Sequence, residues 1–270
     1  VPELLEVELY RRLAVAALDR PIASVAVVDP HVLGAPVSAT GLRRALVGRR
    51  FTAARRRGKL LLLDTGAAGG EGAGPTVGLR FGMTGGLLVD DRAALDRLRH
   101  SAGHYGERWV RLRVHFGDGG VLAFHDPRRF GRLLLDPDEG ALGPDAATAT
   151  VAELRAALGT RGPGAGPPLK ARLLDQTRLA GVGNLLADEI LWRAGLSPSR
   201  PSGSLSADEL RRLHRQLRST LDRLAERGGS HTGDLMEERR PGGRCPRDGA
   251  ELARVTVGGR TTWWCPAHQR

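Results

Sequence analysis

Residues 173–198 read LLDQTRLAGVGNLLADEILWRAGLSP. One helical run ends near Ala180, Gly181 and Gly183 flank Val182, and a second run continues to Gly195 with Pro198 beyond. Glycine just past a helix and proline soon after it are ordinary stop signals. Asn184 stands where the N-cap of the second helix is expected. The stretch reads as two helices joined by two tight turns, which alone is an ordinary helical hairpin. The backbone N–H groups at such a helix start, approached closely across glycine, also suit a phosphate, and Asn184 would add a side-chain donor.

Working outward, helical periodicity covers about 169–178, 184–194 and 206–227. Before it lies a Pro/Gly-rich stretch, 137–168, interrupted by a short helix at about 150–158. That shift in composition predicts a domain boundary, giving parts 1–137, 138–240 and 241–270. In the first part Leu4, Leu5, Val7, Leu9 and Leu13 recur at helical spacing, and Pro21 follows. From about 22 to 136 the pattern is of strands. Val110, Leu112, Val114 and Phe116 alternate with Arg111, Arg113 and His115. Gly117–Gly120 is a turn and 121–124 the return strand. Further strands are expected at 22–28, 59–64, 76–81 and 86–89, a helix at 91–100, and a surface loop at 66–74. The tail, 241–270, reads as a small hairpin. The class is α+β.

The chain has 270 residues, 41 basic and 30 acidic, for a net charge of +11. Only Lys59 and Lys170 are lysines, and the arginine excess is what a GC-rich genome writes. The positive balance points to nucleic acid, since phosphate neutralisation supplies most non-specific affinity. No apolar run approaches the roughly 20 residues of a membrane span. The acidic start is not a secretory signal. Two cysteines suit a reducing cytoplasm rather than a disulfide scaffold.

Pro2 and Glu3 have a simple reading as the opening of a helix. A second reading needs the amine. Val1 fits a GTG start codon translated literally, so the mature chain is expected to begin at Pro2. A secondary amine attacks an aldehyde-like carbon and forms an iminium, and Glu3 beside it is placed for acid–base work.

Seven stretches, in order along the chain, carry a family resemblance: PELLEVE at 2–8, RRGKLLLL at 56–63, FGMTGGL at 81–87, DPRRFG at 126–131, LK-x2-LLDQ at 169–176, AGVGNLLADEILWRAG at 180–195 and GGRTTWWCP at 258–266. The chain resembles the formamidopyrimidine-DNA glycosylase / endonuclease VIII family of DNA repair enzymes. The resemblance implies an N-terminal β-sandwich with a leading helix, a helical domain with a helix–two-turn–helix motif, and a C-terminal β-hairpin module like a zinc finger. DNA would lie in a basic cleft between domains. It implies a bifunctional glycosylase and abasic-site lyase, acting as a monomer on damaged or abasic duplex DNA in the bacterial cytoplasm, with the nucleoid, and using no redox cofactor.

The implied roles fall on matching positions. Pro2 is the nucleophile, Glu3 the proton donor with Glu6 behind it, and Lys59 the lysine near the catalytic centre. Met83, Arg129 and Phe130 fill the gap left by a flipped nucleotide, which offsets a few kcal/mol of lost stacking. The plain alternative for Met83 and Phe130 is core packing. Lys170, Asn184 and Arg260 contact phosphates.

The tail departs from the family. Where four cysteines are usual, the same spacing holds Cys245, Asp248, Cys265 and His268. Zinc accepts all three ligand types, so one structural ion is expected, with a zincless hairpin packed on Trp263 and Trp264 as the alternative. Leu5 replaces a second proline. The short stretch 229–245 departs from a longer insert that covers a flipped oxidised purine, so the preferred lesion stays open; His231 and Asp234 in it receive no role. Two other readings compete: a non-catalytic binder of damaged or structured DNA, and a basic RNA-associated protein.

Overall fold

The computed structural model describes residues 2–67, 69, 72–95, 106–159 and 166–270. The chain forms two compact units, Val1–Pro2 with Glu6–Glu139, and Glu3–Leu5 with Gly140–Arg270.

In the first unit, α1 (Leu4–Ala14) turns Val7, Tyr10 and Ala14 into the core at helical spacing. A five-stranded antiparallel sheet has the order β1 (Ile22–Val27), β7 (Val110–Phe116), β8 (Val121–His125), β5 (Gly86–Val89), β6 (Arg92–Ala93). A four-stranded sheet has the order β2 (Arg49–Arg57), β3 (Leu60–Ala67), β4 (Val77–Arg80), β9 (Arg132–Leu135). Both sheets feed one core, where Phe51 meets Phe116 edge-on with ring centres 6.3 Å apart, and Phe81 lies 5.6 Å from Phe124. The expected β-sandwich with a leading helix is therefore present. The alternation in β7 holds, with Val110, Leu112, Val114 and Phe116 all buried.

The expected helix at 91–100 is corrected. Asp90 and Asp91 both have positive φ, 49° and 60°, and turn the chain back so that Arg92–Ala93 pairs with β5. Two consecutive left-handed residues make the tight turn that a two-residue hairpin uses. Residues 96–100 of that expected helix lie outside the described residues. The loop expected at 66–74 begins later, because β3 runs to Ala67 and Gly66 bridges Ala73; residues 68, 70 and 71 lie outside the described residues. A helix α2 (Ala39–Leu46), capped by Ser38, was not expected.

The second unit holds α3 (Val151–Leu158), α4 (Leu169–Leu174), α5 (Asn184–Ala194), α6 (Ala207–Glu226) and the hairpin β10 (Ala253–Val257)–β11 (Arg260–Trp264). Thr150 with Glu153, and Ser206 with Glu209, form reciprocal capping boxes that start α3 and α6. Leu210, Leu213, Leu217, Leu221 and Leu224 make the buried stripe of α6. Helix α4 stops at Leu174, four residues before the expected end. Asp175 is extended and its carboxylate accepts the Thr177 N–H, a local bond that competes with helix.

One buried group makes the first unit pH-sensitive. His125 is 1% exposed, packs edge-on to Trp109, and accepts the Gly106 N–H at Nε2. Burial pushes it down to about 4. An unfolded histidine titrates near 6.5. Between those values the unfolded chain binds the extra proton, so stability rises with pH. The contribution is complete above about pH 6.5 and is lost as pH falls towards about 4. We expect the stability difference between the wild type and His125→Gln, from urea unfolding, to grow across that window and level off above it. A difference that does not vary with pH would exclude the effect.

Candidate functional site

Glu3 is fully buried, and its carboxylate takes the place of a cap on α5. Oε1 accepts the Leu185 N–H at 2.8 Å and Oε2 the Leu186 N–H at 3.3 Å. A carboxylate here satisfies orphan N–H groups and suits the helix dipole. The expected capping role of Asn184 is therefore corrected: Gly183 holds the cap position, and Asn184 is the first helical residue. The free amides expected to cradle a phosphate at this start are, for Leu185 and Leu186, bonded to Glu3. Gly183 is required by Glu3: a Cβ there would lie 2.2 Å from the Glu3 Cδ.

Gln176 shapes the link between α4 and α5. Its Nε2 donates to the carbonyls of Leu174 and Val182, and its Oε1 accepts the Gly181 N–H. Gly181 has φ +111°, and its carbonyl accepts the Leu4 N–H at 3.2 Å. The residues after Glu3 are thus tied to the two-turn segment by backbone as well as by the carboxylate.

Lys170 is not a surface cation. It is fully buried, with Nζ 2.6 Å from Asp188 Oδ1, 2.7 Å from Thr262 Oγ1 and 3.3 Å from the Thr261 carbonyl. Two of the ammonium's three N–H donors go to the threonine oxygens, and Asp188 supplies the opposing charge. Burial pulls Lys170 below its ordinary range while Asp188 opposes that. Lys170, which the resemblance makes a phosphate contact, thus sits in an internal ion pair. Asn184 Nδ2 donates to the same Thr261 carbonyl at 3.2 Å, using one of its two N–H donors. Arg260, next in chain to Thr261, is exposed at the start of β11. Lys170, Asn184 and the Arg260 end of the hairpin are thus brought together.

In the first unit, Pro2 and Glu6 are buried. Lys59 sits in the two-residue turn between β2 and β3, where Gly58 has φ +56°, the first-position glycine that such a turn favours. Met83, Arg129 and Phe130 lie on two loops that touch: a Cβ on Gly82 would lie 2.6 Å from the Phe130 Cβ. Phe130 is 51% exposed, so the core-packing alternative fails for it. Arg129 has φ 61° and a two-pronged ion pair with Asp29, at 2.7 and 3.0 Å. That pair holds the Asp29 carboxyl below its usual range. The loop is organised by Asp126, a residue the sequence reading passed over. It is 1% exposed, and it accepts the Thr84 hydroxyl and the N–H groups of Arg128 and Gly131.

In the tail, one ligand atom each of Cys245, Asp248, Cys265 and His268 lies within 4.8 Å of the others. The cysteines are not disulfide-bonded. His268 Nε2 is 3.2 Å from the Trp192 carbonyl, which can only accept, so Nε2 carries a proton. Its Nδ1 then faces Asp248 Oδ2 at 2.8 Å and Cys245 Sγ at 3.7 Å. A lone pair facing a carboxylate needs a positive centre there, either a second proton or a metal. Two sulfurs, one imidazole and one carboxylate are a donor set that zinc accepts. The hydrogen bond from the Ala250 N–H holds Asp248 below the usual carboxylate range, and burial pushes Cys265 up to about 11.

The stretch 229–239 also gains an explanation. Buried Glu189 of α5 accepts the N–H groups of Asp234 and Leu235, and Arg193 bridges Glu189 and Asp234. Asp234 anchors this segment to α5, a role visible only in three dimensions; His231 receives none.

Comparison with known proteins agrees with these features. Residues 1–133 match the profile of the formamidopyrimidine-DNA glycosylase N-terminal domain, and 142–235 its H2TH domain. A formamidopyrimidine-DNA glycosylase of Chloroflexus aggregans is 36% identical over 100% of this chain and 98% of that protein. One of Thermus thermophilus is also 36% identical, with the same coverage. Among solved structures, the Lactococcus lactis Fpg bound to an oxidised-pyrimidine-containing DNA is 27% identical with a TM-score of 0.78, covering all of both chains. The same protein bound to abasic-site DNA is 26% identical, again with a TM-score of 0.78 and full coverage of both chains.

Proposed function

We propose, for a chain that belongs to the formamidopyrimidine-DNA glycosylase family, that it is a base-excision-repair glycosylase and abasic-site lyase acting on duplex DNA with oxidised bases. The observation that carries this reading is Glu3 fixed at the start of α5, one residue from Pro2.

The chemistry runs through the amine of a chain processed to begin at Pro2. Pro2 nitrogen attacks C1′ of the damaged nucleotide, and the bond from C1′ to the base breaks. Glu3 donates the proton that lets the base leave. The bonds it accepts from the Leu185 and Leu186 N–H groups fix the carboxyl group at the place where it gives up that proton. The Pro2 N–H proton leaves and the C1′–O4′ bond opens as O4′ takes a proton, so the open-chain sugar is held as an iminium, an electron sink through which loss of a C2′ proton expels the 3′ phosphate. Lys59 acts close to the reacting sugar, where a compact ammonium differs from a guanidinium. By the resemblance, Glu6 supports the same chemistry. Met83, Arg129 and Phe130 fill the stack after flipping. Asn184 and Arg260 contact phosphates; Lys170 supports them from below by holding Thr261 and Thr262.

The reading keeps 1–137 as the catalytic part, 138–240 as the DNA-binding part and 241–270 as a module with one structural zinc ion. Support comes from the division of the chain into compact units between Glu139 and Gly140 and from the separate apolar cluster of Trp192, Leu235, Leu252 and Trp263 with the two cysteines. Bound zinc would supply folding energy to a small module. The protein works as a monomer in the bacterial cytoplasm, with the nucleoid. Among the described residues no helix is long and apolar enough to cross a membrane.

Glu3→Gln tests the reading. It keeps the oxygen acceptor and removes the proton. We expect base release from duplex DNA carrying an oxidised base to fall by roughly 10²–10⁴-fold, with DNA affinity unchanged in a gel-shift titration. Normal base release by this variant would overturn the role of Glu3.

A further inference from the structure

We infer that Trp192 is a positioning residue of the Cys245–Asp248–Cys265–His268 metal site, setting which nitrogen of His268 binds and supporting the Cys245 sulfur. The inference rests on the zinc reading above and adds a residue outside the ligand set.

Trp192 lies in the last turn of α5 and is 6% exposed. Three contacts join it to two of the four ligands. Its indole Nε1 is 3.3 Å from Cys245 Sγ. Its carbonyl is 3.2 Å from His268 Nε2. Its ring meets the His268 ring edge-on with centres 6.2 Å apart. An indole N–H can only donate, and a carbonyl can only accept. The first contact therefore places a hydrogen bond on the sulfur, which stabilises negative charge there. The second fixes the proton on Nε2, so Nδ1 presents its lone pair to Cys245 and Asp248. Partners of this kind orient metal ligands, and their loss commonly weakens metal binding by about 10–100-fold.

Phenylalanine at this position keeps an aromatic ring and the backbone carbonyl and removes the indole N–H together with part of the indole's volume. The full-length wild type and Trp192→Phe are stripped with a chelator and titrated with zinc against a chromophoric competitor. The visible spectrum of the cobalt-loaded proteins is recorded beside it. Wild type is expected to bind one ion, and Trp192→Phe to bind one ion roughly 10–100-fold more weakly, with a shifted sulfur-to-cobalt band. Equal zinc affinity would overturn the proposal. A second readout needs no variant: long-range proton–nitrogen NMR of zinc-loaded wild type is expected to show His268 protonated at Nε2 and metal-bound at Nδ1. Binding through Nε2 would overturn it even if the variant were too unstable to titrate. A wild type that takes up neither zinc nor cobalt would instead remove the zinc reading, and this inference with it.

Discussion

Gly183→Ala is expected to leave the protein folded and to lower base excision by roughly 10²-fold or more. The glycine has an ordinary backbone conformation, since its φ is −116°. Alanine therefore brings no backbone strain, and the whole effect comes from space. The new methyl group would sit 2.2 Å from Glu3 Cδ and 2.5 Å from each carboxylate oxygen. Those atoms end a flexible side chain, so they move rather than the helix. The carboxylate then leaves the Leu185 and Leu186 N–H groups that it accepts from. Losing those bonds costs about 1–3 kcal/mol. Misplacing a reacting group by about 1 Å costs on the order of 10² in rate. Excision of an oxidised base under single-turnover conditions, beside a thermal melt, separates the two effects. Full activity in the variant would show that the position of Glu3 at α5 does not matter.

Asp188→Ala is expected to be the most destabilising single change in the second unit. Asp188 is 2% exposed and serves three partners: the buried Lys170 ammonium at 2.6 Å, the Arg239 guanidinium, and the Trp263 N–H at 3.3 Å. Removing it leaves a fully buried cation without its carboxylate and takes away the bond from the Trp263 N–H of β11 to α5. Breaking a buried pair from one side costs about 3–5 kcal/mol, far more than the net value of an intact pair. Asp188→Asn keeps an oxygen acceptor and should fall between the wild type and alanine. Chemical unfolding measures all three. A loss below about 1 kcal/mol, the level of a surface pair, would contradict this account of Lys170.

These two positions also show what the sequence could and could not disclose. The two-turn segment was legible because glycine, proline and helical period are local signals. The alternation of β7 was legible for the same reason. Strand β2 was not: RRFTAARRR has little apolar alternation, and Phe51 is its one fully buried residue. Its conformation comes from the long ladder with β3. The resemblance makes Lys170 a phosphate contact, and its burial was not legible because its partner stands eighteen residues away, on α5. Asn184 has the composition of a cap, but the cap is supplied by Glu3 from the other end of the chain. The four tail donors were legible through their spacing. The contribution of Trp192 was not, since nothing local links an α5 tryptophan to Cys245.

The central claim is that a free Pro2 amine carries the chemistry, and borohydride trapping tests it most directly. The protein with Pro2 at its terminus, confirmed by mass, is mixed with abasic-site duplex DNA and reduced. The account predicts a covalent protein–DNA adduct that disappears when one residue is left in front of Pro2. No adduct from the Pro2-terminal protein, or an equal adduct from the extended one, would contradict it.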